Sequence, residues 1–585
     1  MRKPNYDKFP FVAVTGADNA CVTGWPAVSR ALRDALNTSA KQKTVMAVEC
    51  YPGVNESEIV EALGFSLDPA RVIRTADALR PESEINALCG PFLGGDDPVF
   101  GFLCGLELQQ FFDPERLQRL REKSAGLPGG LVLIVGVGAT WVHEADLLVY
   151  ADLGRWEIQK RQRRNEISNL GVNNAAACAK LKYKRAFFID WRVADRWKAP
   201  LLARADFFLD THHPAVPKLV EGTVLRRGLV EAAHRPFRVV PFFDPGVWGG
   251  QWMKKVCDLD RSAPNFAWGF DCVPEENSLL LGFGQQRFEL PALDLVLNQT
   301  LALLGERVQK RFGAEFPIRF DLLDTMGGEN LSFQVHPDED YIRKTFGMAY
   351  TQDESYYILE SEPDAVVYLG LKENVDRDAM IQDLKIAQQG GGSFQDEQYV
   401  NRIPAKKHDH FLIPAGTVHC SGAGIVVLEI SATPYIFTFK MWDWDRLGLD
   451  GVARPIHLEH GAANINWNRS ADWVGHNLVN RIETLATGDG WREERTGLHE
   501  LEFIETRRHW FTQTVPHHTD GGVQVIHLVA GEEIIVESPS GAFEPFVVHY
   551  AETFIVPAAV GAYSIRPHGL GIGQECATIK ASIRA

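Results

Sequence analysis

The chain has 585 residues, of which 45% are hydrophobic and 23% charged, with a formal net charge of −16 and a pI near 5.6. That length exceeds what one hydrophobic core supports and predicts several domains, while the ordinary composition excludes a disordered or fibrous chain. The acidic balance argues against general affinity for nucleic acid or anionic membrane, and leaves room only for a local basic pocket that meets a small phosphorylated molecule.

The sequence MRKPNYDKFPFVAVTGADN shows no apolar core ending in a small-residue cleavage site, and no later run is long and uncharged enough to span a membrane. The nine cysteines are scattered without a C-x-x-C pair. Reduced thiols and a cytoplasmic location are the expectation.

Residues 1 to 236 alternate strand-like and helix-like segments. FVAVTG (11 to 16), TVMAVEC (44 to 50), GLVLIVGVGA (130 to 139) and DLLVYADL (146 to 153) are apolar and β-branched, as parallel strands covered on both faces must be. WPAVSRALRDALN (25 to 37) and RWEIQKRQRRNEI (155 to 167) have helical character. An α/β domain with a parallel sheet is predicted. The layout of strand, loop and helix over 11 to 32 is that of a P-loop, but the loop from Gly16 to Trp25 has no G-K-[ST] ending to hold a terminal phosphate and Mg²⁺.

After PFFDPGVWGG (241 to 250) the texture changes. One amphipathic helix is predicted over 292 to 312. Short strands follow at FDLLDT, LSFQVH, ESYYILES and AVVYLGL, a helix at 376 to 389 interrupts them, and HFLIPA, GIVVLEIS and YIFTFKMW resume. Short strands at regular spacing with Gly/Pro turns predict an antiparallel barrel or sandwich. From about 490 the pattern returns, with VAGEEIIVES and TFIVPAAVGAYSI echoing YILESEPDAVVYLG and HFLIPAGTVHCSG, but without the histidine after the Pro-Ala-Gly.

The first β-rich region offers four candidate ligands: Gln334 and His336, two apart on one strand face, Glu354, and His419 after the turn of Pro414-x-Gly416. Imidazole and carboxylate suit a catalytic divalent metal, with a Gln carbonyl as a neutral fourth donor. Asp338 and Glu339 read as solvated charges, and Trp442 and Trp444 as packing residues.

LLDTMGGENLSFQVHPDEDY, ESYYILESE, HFLIPAGTVHCSGAGIVVLEIS and WDWDR together resemble the class I mannose-6-phosphate isomerases, over roughly 241 to 585 and most closely over 320 to 446. The resemblance implies a bicupin (jelly-roll) fold, with one zinc ion or another divalent metal on Gln334, His336, Glu354 and His419. It also implies aldose–ketose isomerisation of mannose 6-phosphate to fructose 6-phosphate through an enediolate. Glu429, in VVLEIS, matches a glutamate that shuttles protons or binds the sugar. Three positions depart from the family: Gln352 replaces a lysine, Ala432-Thr433-Pro434 replaces a Ser-Asp, and Lys440 replaces an arginine. Lys440 is taken as the cation for phosphate or enediolate, without arginine's bidentate fork.

Residues 150 to 171 make the N-terminal region similar to uridine-kinase-like nucleoside kinases. Arg161, Arg163 and Arg164 would then hold a phosphate, and a nucleotide is a possible partner. The expected division is a degenerate kinase-like domain (1 to 236), a catalytic cupin (237 to 490, helical insertion near 376 to 402) and a second, degenerate cupin (491 to 585). Three readings stay open: a metal-dependent isomerase, a non-catalytic sugar-phosphate-binding or regulatory protein, and a bifunctional kinase/isomerase.

Overall fold

A computed structural model describes residues 4–38, 41–432, 437–497, 499 and 501–584. The chain divides into two compact units, one of residues 11–232 with 278–299, the other of 1–10, 233–277 and 300–585.

The first unit holds a seven-stranded sheet in the order Cys21–Thr23, Lys218–Glu221, Phe207–Asp210, Leu147–Asp152, Lys43–Cys50, Gly130–Gly136, Arg71–Arg74. The five strands from Phe207–Asp210 to Arg71–Arg74 run parallel, and the other two add antiparallel. Leu147–Asp152 is buried at every position and Lys43–Cys50 at its last six, as their unbroken apolar runs require of strands covered on both faces.

FVAVTG departs from expectation. Only Val12–Ala13 is a strand, and it pairs in parallel with Leu281–Gly282 of a separate three-stranded sheet completed by the Ser278–Phe283 and Gln286–Pro291 hairpin. Helix Trp25–Asn37 instead follows Cys21–Thr23, a three-residue edge strand of the large sheet that pairs antiparallel with its neighbour, and not a central parallel strand of the P-loop kind. The segment 278–299, expected in the catalytic region, belongs to this α/β unit. The helix predicted over 292 to 312 breaks into Ala292–Asn298, Thr300–Leu304 and Glu306–Phe312. It breaks because Gln299 leaves helical geometry (φ −123°, ψ 36°) and Gly305 takes φ +83°.

The second unit contains two pairs of antiparallel sheets. In the first sandwich a six-stranded sheet (His410–Ile413, Glu354–Ser361, Ile425–Ser431, Arg319–Asp324, Trp268–Cys272, Phe242–Asp244) is matched by a five-stranded one (Val400–Pro404, Val366–Leu371, His419–Ser421, Phe333–Val335, Phe439–Trp442). The second sandwich repeats the order. Thr553–Val556, Gln524–Ala530, Cys576–Ile583, Ile504–Phe511 and Trp491–Gly497 stand in for the first five strands of the larger sheet. Phe546–His549, Glu533–Glu537, Ala562–Pro567 and Val515–His518 stand in for the first four of the smaller. Its interior is packed by side chains of both sheets, among them Phe511, Ile526, Leu528, Ile534, Val536 and Ile565.

Buried Arg238 ties the segment before the first sandwich to the second. Its guanidinium meets Asp271 Oδ1 at 3.2 Å and Glu552 Oε1 at 2.8 Å, and donates to the Thr553 carbonyl at 3.1 Å.

Candidate metal centre

Gln334 lies mid-strand in Phe333–Val335 and is in register with His419, the first residue of the neighbouring strand. His336 follows two residues on, so its side chain returns to the same face. Glu354 opens a strand of the opposite sheet. The turn before His419 is held by Gly416 at φ +87°, whose N–H donates to the His336 carbonyl at 3.0 Å, and by Arg469, which donates to the carbonyls of Pro414 and Ala415. Pro337 ends the strand, and Asp338 then caps helix Glu339–Phe346 by accepting from the Tyr341 N–H at 2.7 Å. Asp338 is thus a helix cap, not merely a solvated charge.

The four side chains meet. His419 Nε2 lies 2.8 Å from Glu354 Oε1, His336 Nε2 lies 3.2 Å from Glu354 Oε2, and Gln334 Nε2 lies 3.1 Å from His419 Nε2. One donor atom from each of His336, Glu354 and His419 falls within 4.8 Å of the others. Both imidazoles have their Nδ1 on a carbonyl at 2.8 Å, Phe437 for His336 and Thr417 for His419. This fixes the tautomer that turns the Nε2 lone pairs inward. Rotating the Gln334 amide exchanges its nitrogen for its oxygen, which would bring a fourth donor to the same point.

The four side chains are buried: His336 and His419 are 0% exposed, Glu354 2% and Gln334 6%. His336 Nε2 and Glu354 Oε1 have no hydrogen-bond partner. An ionised carboxylate buried against imidazole lone pairs calls for a cation. A proton can fill that place: burial opposes charge on His336, but the Glu354 carboxylate outweighs it and raises its pKa. Burial likewise works against the Glu354 charge, yet the two imidazoles hold its pKa well below the usual carboxylate range. The N₂O set with an amide oxygen beside it fits a divalent metal.

Gln352 closes a ring around these side chains. Its Nε2 donates to Glu354 Oε2 at 3.0 Å, its Oε1 accepts from the Phe437 N–H at 2.9 Å, and the Phe437 carbonyl accepts from His336. The sequence marks Gln352 only as a departure from a family lysine, and its bonding could not be read there.

Further along the same face, Glu429 is in register with Tyr356 on one side and Asp321 on the other, and Asp321 pairs with Arg319 at 3.2 Å. Burial, then Asp321 and Glu354, push the Glu429 carboxyl well above its ordinary range, while burial raises Asp321 to about 6. Arg319, Asp321 and Tyr356 were not singled out from the sequence. Their only signal is cross-strand register.

Lys440, half-buried on Phe439–Trp442, is in register with Gln334 and so lies on the face that carries the ligands. Trp442 and Trp444 pack together at 4.2 Å between ring centroids, as expected of packing residues. Of the Ala432-Thr433-Pro434 departure, Thr433 and Pro434 lie outside the described residues.

In the α/β unit the arginines of residues 155 to 167 are already engaged. Arg161 is buried and donates to the carbonyls of Gly53 and Thr211, Arg164 pairs with Glu157 and Glu166, and Arg163 stacks on Trp156. Beyond the carboxyl ends of the parallel strands lies a crevice of about 610 Å³, whose charged lining is Glu56, Glu82, Glu166 and Arg161. No lysine lines it.

Residues 285–370 match the model of the phosphomannose isomerase type I catalytic domain, and residues 24–234 match DUF8485, a domain of unknown function. The chain is 25% identical over 232 residues to mannose-6-phosphate isomerase ManA of Bacillus subtilis, covering 38% of this chain and 66% of that protein. It is 29% identical over 215 residues to mannose-6-phosphate isomerase of Streptococcus mutans, covering 36% and 62%. The chain thus spans somewhat less than two thirds of these relatives. The crystal structure of the Bacillus subtilis mannose 6-phosphate isomerase aligns with 60% of this chain and all of its own, at 18% identity and a TM-score of 0.47. Among the described residues no helix is long and apolar enough to cross a membrane.

Proposed function

We propose that this protein is a divalent-metal-dependent aldose–ketose isomerase that interconverts mannose 6-phosphate and fructose 6-phosphate through an enediolate. The convergence of His336, Glu354 and His419 within 4.8 Å, in a stretch overlapping the match to the isomerase catalytic domain, carries the reading. Gln334, His336, Glu354 and His419 would hold one zinc ion. When bound, the metal would polarise the carbonyl and hydroxyl oxygens of the two reacting carbons and so acidify the C–H on the carbon next to the carbonyl. Glu429, whose carboxyl is pushed well above the ordinary carboxylate range by burial and then by Asp321 and Glu354, is the proton-transfer group in this reading. Lys440, on the ligand-bearing face, meets the phosphate or the enediolate oxygen.

Within this reading the first sandwich (237 to 490, apart from residues 278–299) is a catalytic cupin and the second (491 to 585) a degenerate one. The parallel sheet of the N-terminal unit supports a kinase-like scaffold (1 to 236) that has lost phosphate transfer. A nucleotide there is disfavoured, since the crevice offers no cation free of protein partners. All the cysteines are free, in keeping with a reducing, cytoplasmic setting. One observation favours a non-catalytic sugar-phosphate binder instead: Gln352 brings no charge where the family has lysine.

A coupled assay for fructose 6-phosphate, on metal-replete and chelated protein, decides between them. Turnover that is lost on chelation, restored by zinc and absent in His336→Ala and His419→Ala supports the isomerase. Tight binding of mannose 6-phosphate with no turnover overturns it.

A further inference from the structure

The stretch that joins the two sandwiches touches three elements of the candidate metal centre. The His457 N–H donates to the Lys440 carbonyl at 2.8 Å. At the end of helix Leu458–Asn464, the Asn464 side chain accepts from the N–H of Asp338, two residues past His336, at 3.0 Å. The Asn466 N–H then donates to the Gly416 carbonyl at 2.9 Å. Arg469 Nη1 meets the carbonyls of Pro414 and Ala415 at 2.5 and 2.7 Å, together with Thr417 Oγ1. Helix Ala471–Asn477 follows, and the Arg469 carbonyl accepts from the Leu371 N–H at 2.9 Å.

The turn that Arg469 grips is tied to His336, Glu354 and His419 in turn. Its Ala415 N–H donates at 2.8 Å to Oδ1 of Asp353, the residue before Glu354. Its Gly416 N–H donates to the His336 carbonyl at 3.0 Å, and its Thr417 carbonyl accepts from His419 Nδ1 at 2.8 Å. The spacing of the three side chains is therefore relayed through residues 414–417. The connecting stretch comes close enough to demand glycine opposite it: a Cβ on Gly416 would lie 3.0 Å from the Asn464 carbonyl oxygen, and one on Gly370 would lie 2.8 Å from that of Arg469. Arg469 is 3% exposed, and burial lowers its pKa to about 10. Burying a cation is costly, and the guanidinium directs its hydrogen bonds to this one turn.

We propose that residues 457–469 form a brace for the metal centre, with Arg469 as the positioning residue that fixes His419 against His336 and Glu354. This rests on the reading of those side chains as metal ligands. A site binds its ion well when the donors already converge, and the groups that orient the donors carry much of the affinity. Arg469 acts at one remove, through the Thr417 carbonyl that orients the His419 ring.

The test uses the full-length protein with zinc and cobalt(II) as probes, reading zinc affinity by chelator competition and ligand geometry by the visible absorption of bound cobalt. Arg469→Met is expected to weaken zinc binding by about tenfold or more and to shift the cobalt bands. Arg469→Lys, whose ammonium has three donors for the same three acceptors, is expected to regain part of that loss. Arg238→Ala serves as the control, because it destabilises the fold elsewhere and should leave both readouts at the wild-type level. If Arg469→Met fails to fold, Asn464→Ala tests the His336 side of the brace, with zinc affinity expected to fall by about threefold or more for the one hydrogen bond lost. Zinc affinity and cobalt bands that match wild type in the folded variants overturn the proposal. A wild-type protein that binds neither ion overturns it together with the metal-site reading, whereas metal binding without turnover removes the isomerase alone and leaves the brace standing.

Discussion

Replacing Gln352 with leucine tests the ring of hydrogen bonds around the proposed metal ligands. The substitution keeps the side chain's bulk but removes the donor to Glu354 Oε2 at 3.0 Å and the acceptor of the Phe437 N–H at 2.9 Å. A hydrogen bond to a carboxylate contributes roughly 1.5–3 kcal/mol, and an unpaired buried N–H costs a further ~1–3 kcal/mol. Since ~1.4 kcal/mol is tenfold in a binding constant, losing the carboxylate bond weakens metal affinity by about 10–100-fold, the usual effect of removing a group that orients a ligand. The Phe437 penalty falls on bound and free protein alike and lowers stability instead. Competition with a chromophoric zinc chelator measures the affinity, and a thermal melt measures the rest. Unchanged zinc affinity in a folded Gln352→Leu protein would show that the ring is packing alone and that Glu354 is oriented by its strand.

Three further outcomes are expected. Lys440→Ala should lower kcat/KM for mannose 6-phosphate by ~10²-fold or more, as removing a charge-stabilising donor does, whereas zinc binding should hold; full retained activity would take Lys440 out of the mechanism. Arg238→Ala leaves Asp271 and Glu552 buried without their cation, so urea unfolding should show a loss of ~3–5 kcal/mol; a loss under ~1 kcal/mol would mean that water reaches the cluster. His410 and His527 are each held at about 4, chiefly by burial, so the folded protein keeps them neutral while the unfolded chain takes up a proton near the ordinary value of about 6.5. Their contribution is therefore complete above that value and declines as pH falls toward 4, at up to ~1.4 kcal/mol per pH unit for each. Melting temperatures that stay flat across that window, in wild type and in His527→Gln alike, would contradict it.

The proposed ligands could be nominated from the sequence because strand alternation puts Gln334 and His336 on one face and because their order along the chain resembles a family motif. Strand Lys43–Cys50 and helix Trp25–Asn37 were readable from runs of one kind of residue. What could not be read depended on partners far along the chain. Val12–Ala13 looks like a sheet strand by composition, yet its partner is Leu281–Gly282. The row Tyr356, Glu429 and Asp321 exists only through register. The second sandwich was equally hidden: the sequence showed that a histidine was missing, and only the paired strands show that Lys580 stands in register where Glu429 does in the first.

The interleaving of the two units along the chain has a consequence for biosynthesis. The first ten residues belong with the last 286, and the hairpin that gives Val12–Ala13 its pairing is not translated until residue 291. Domains that are contiguous in sequence can fold in turn as they leave the ribosome. Here the nascent N-terminal segment must wait, with Tyr6 lacking Asp271 and Asp7 lacking Glu552 until those residues emerge. A fragment cut near residue 236 would forfeit the pairing of Val12–Ala13 and the lysine bridge from Lys198 to Asp294, so dissection of this chain calls for circular permutation.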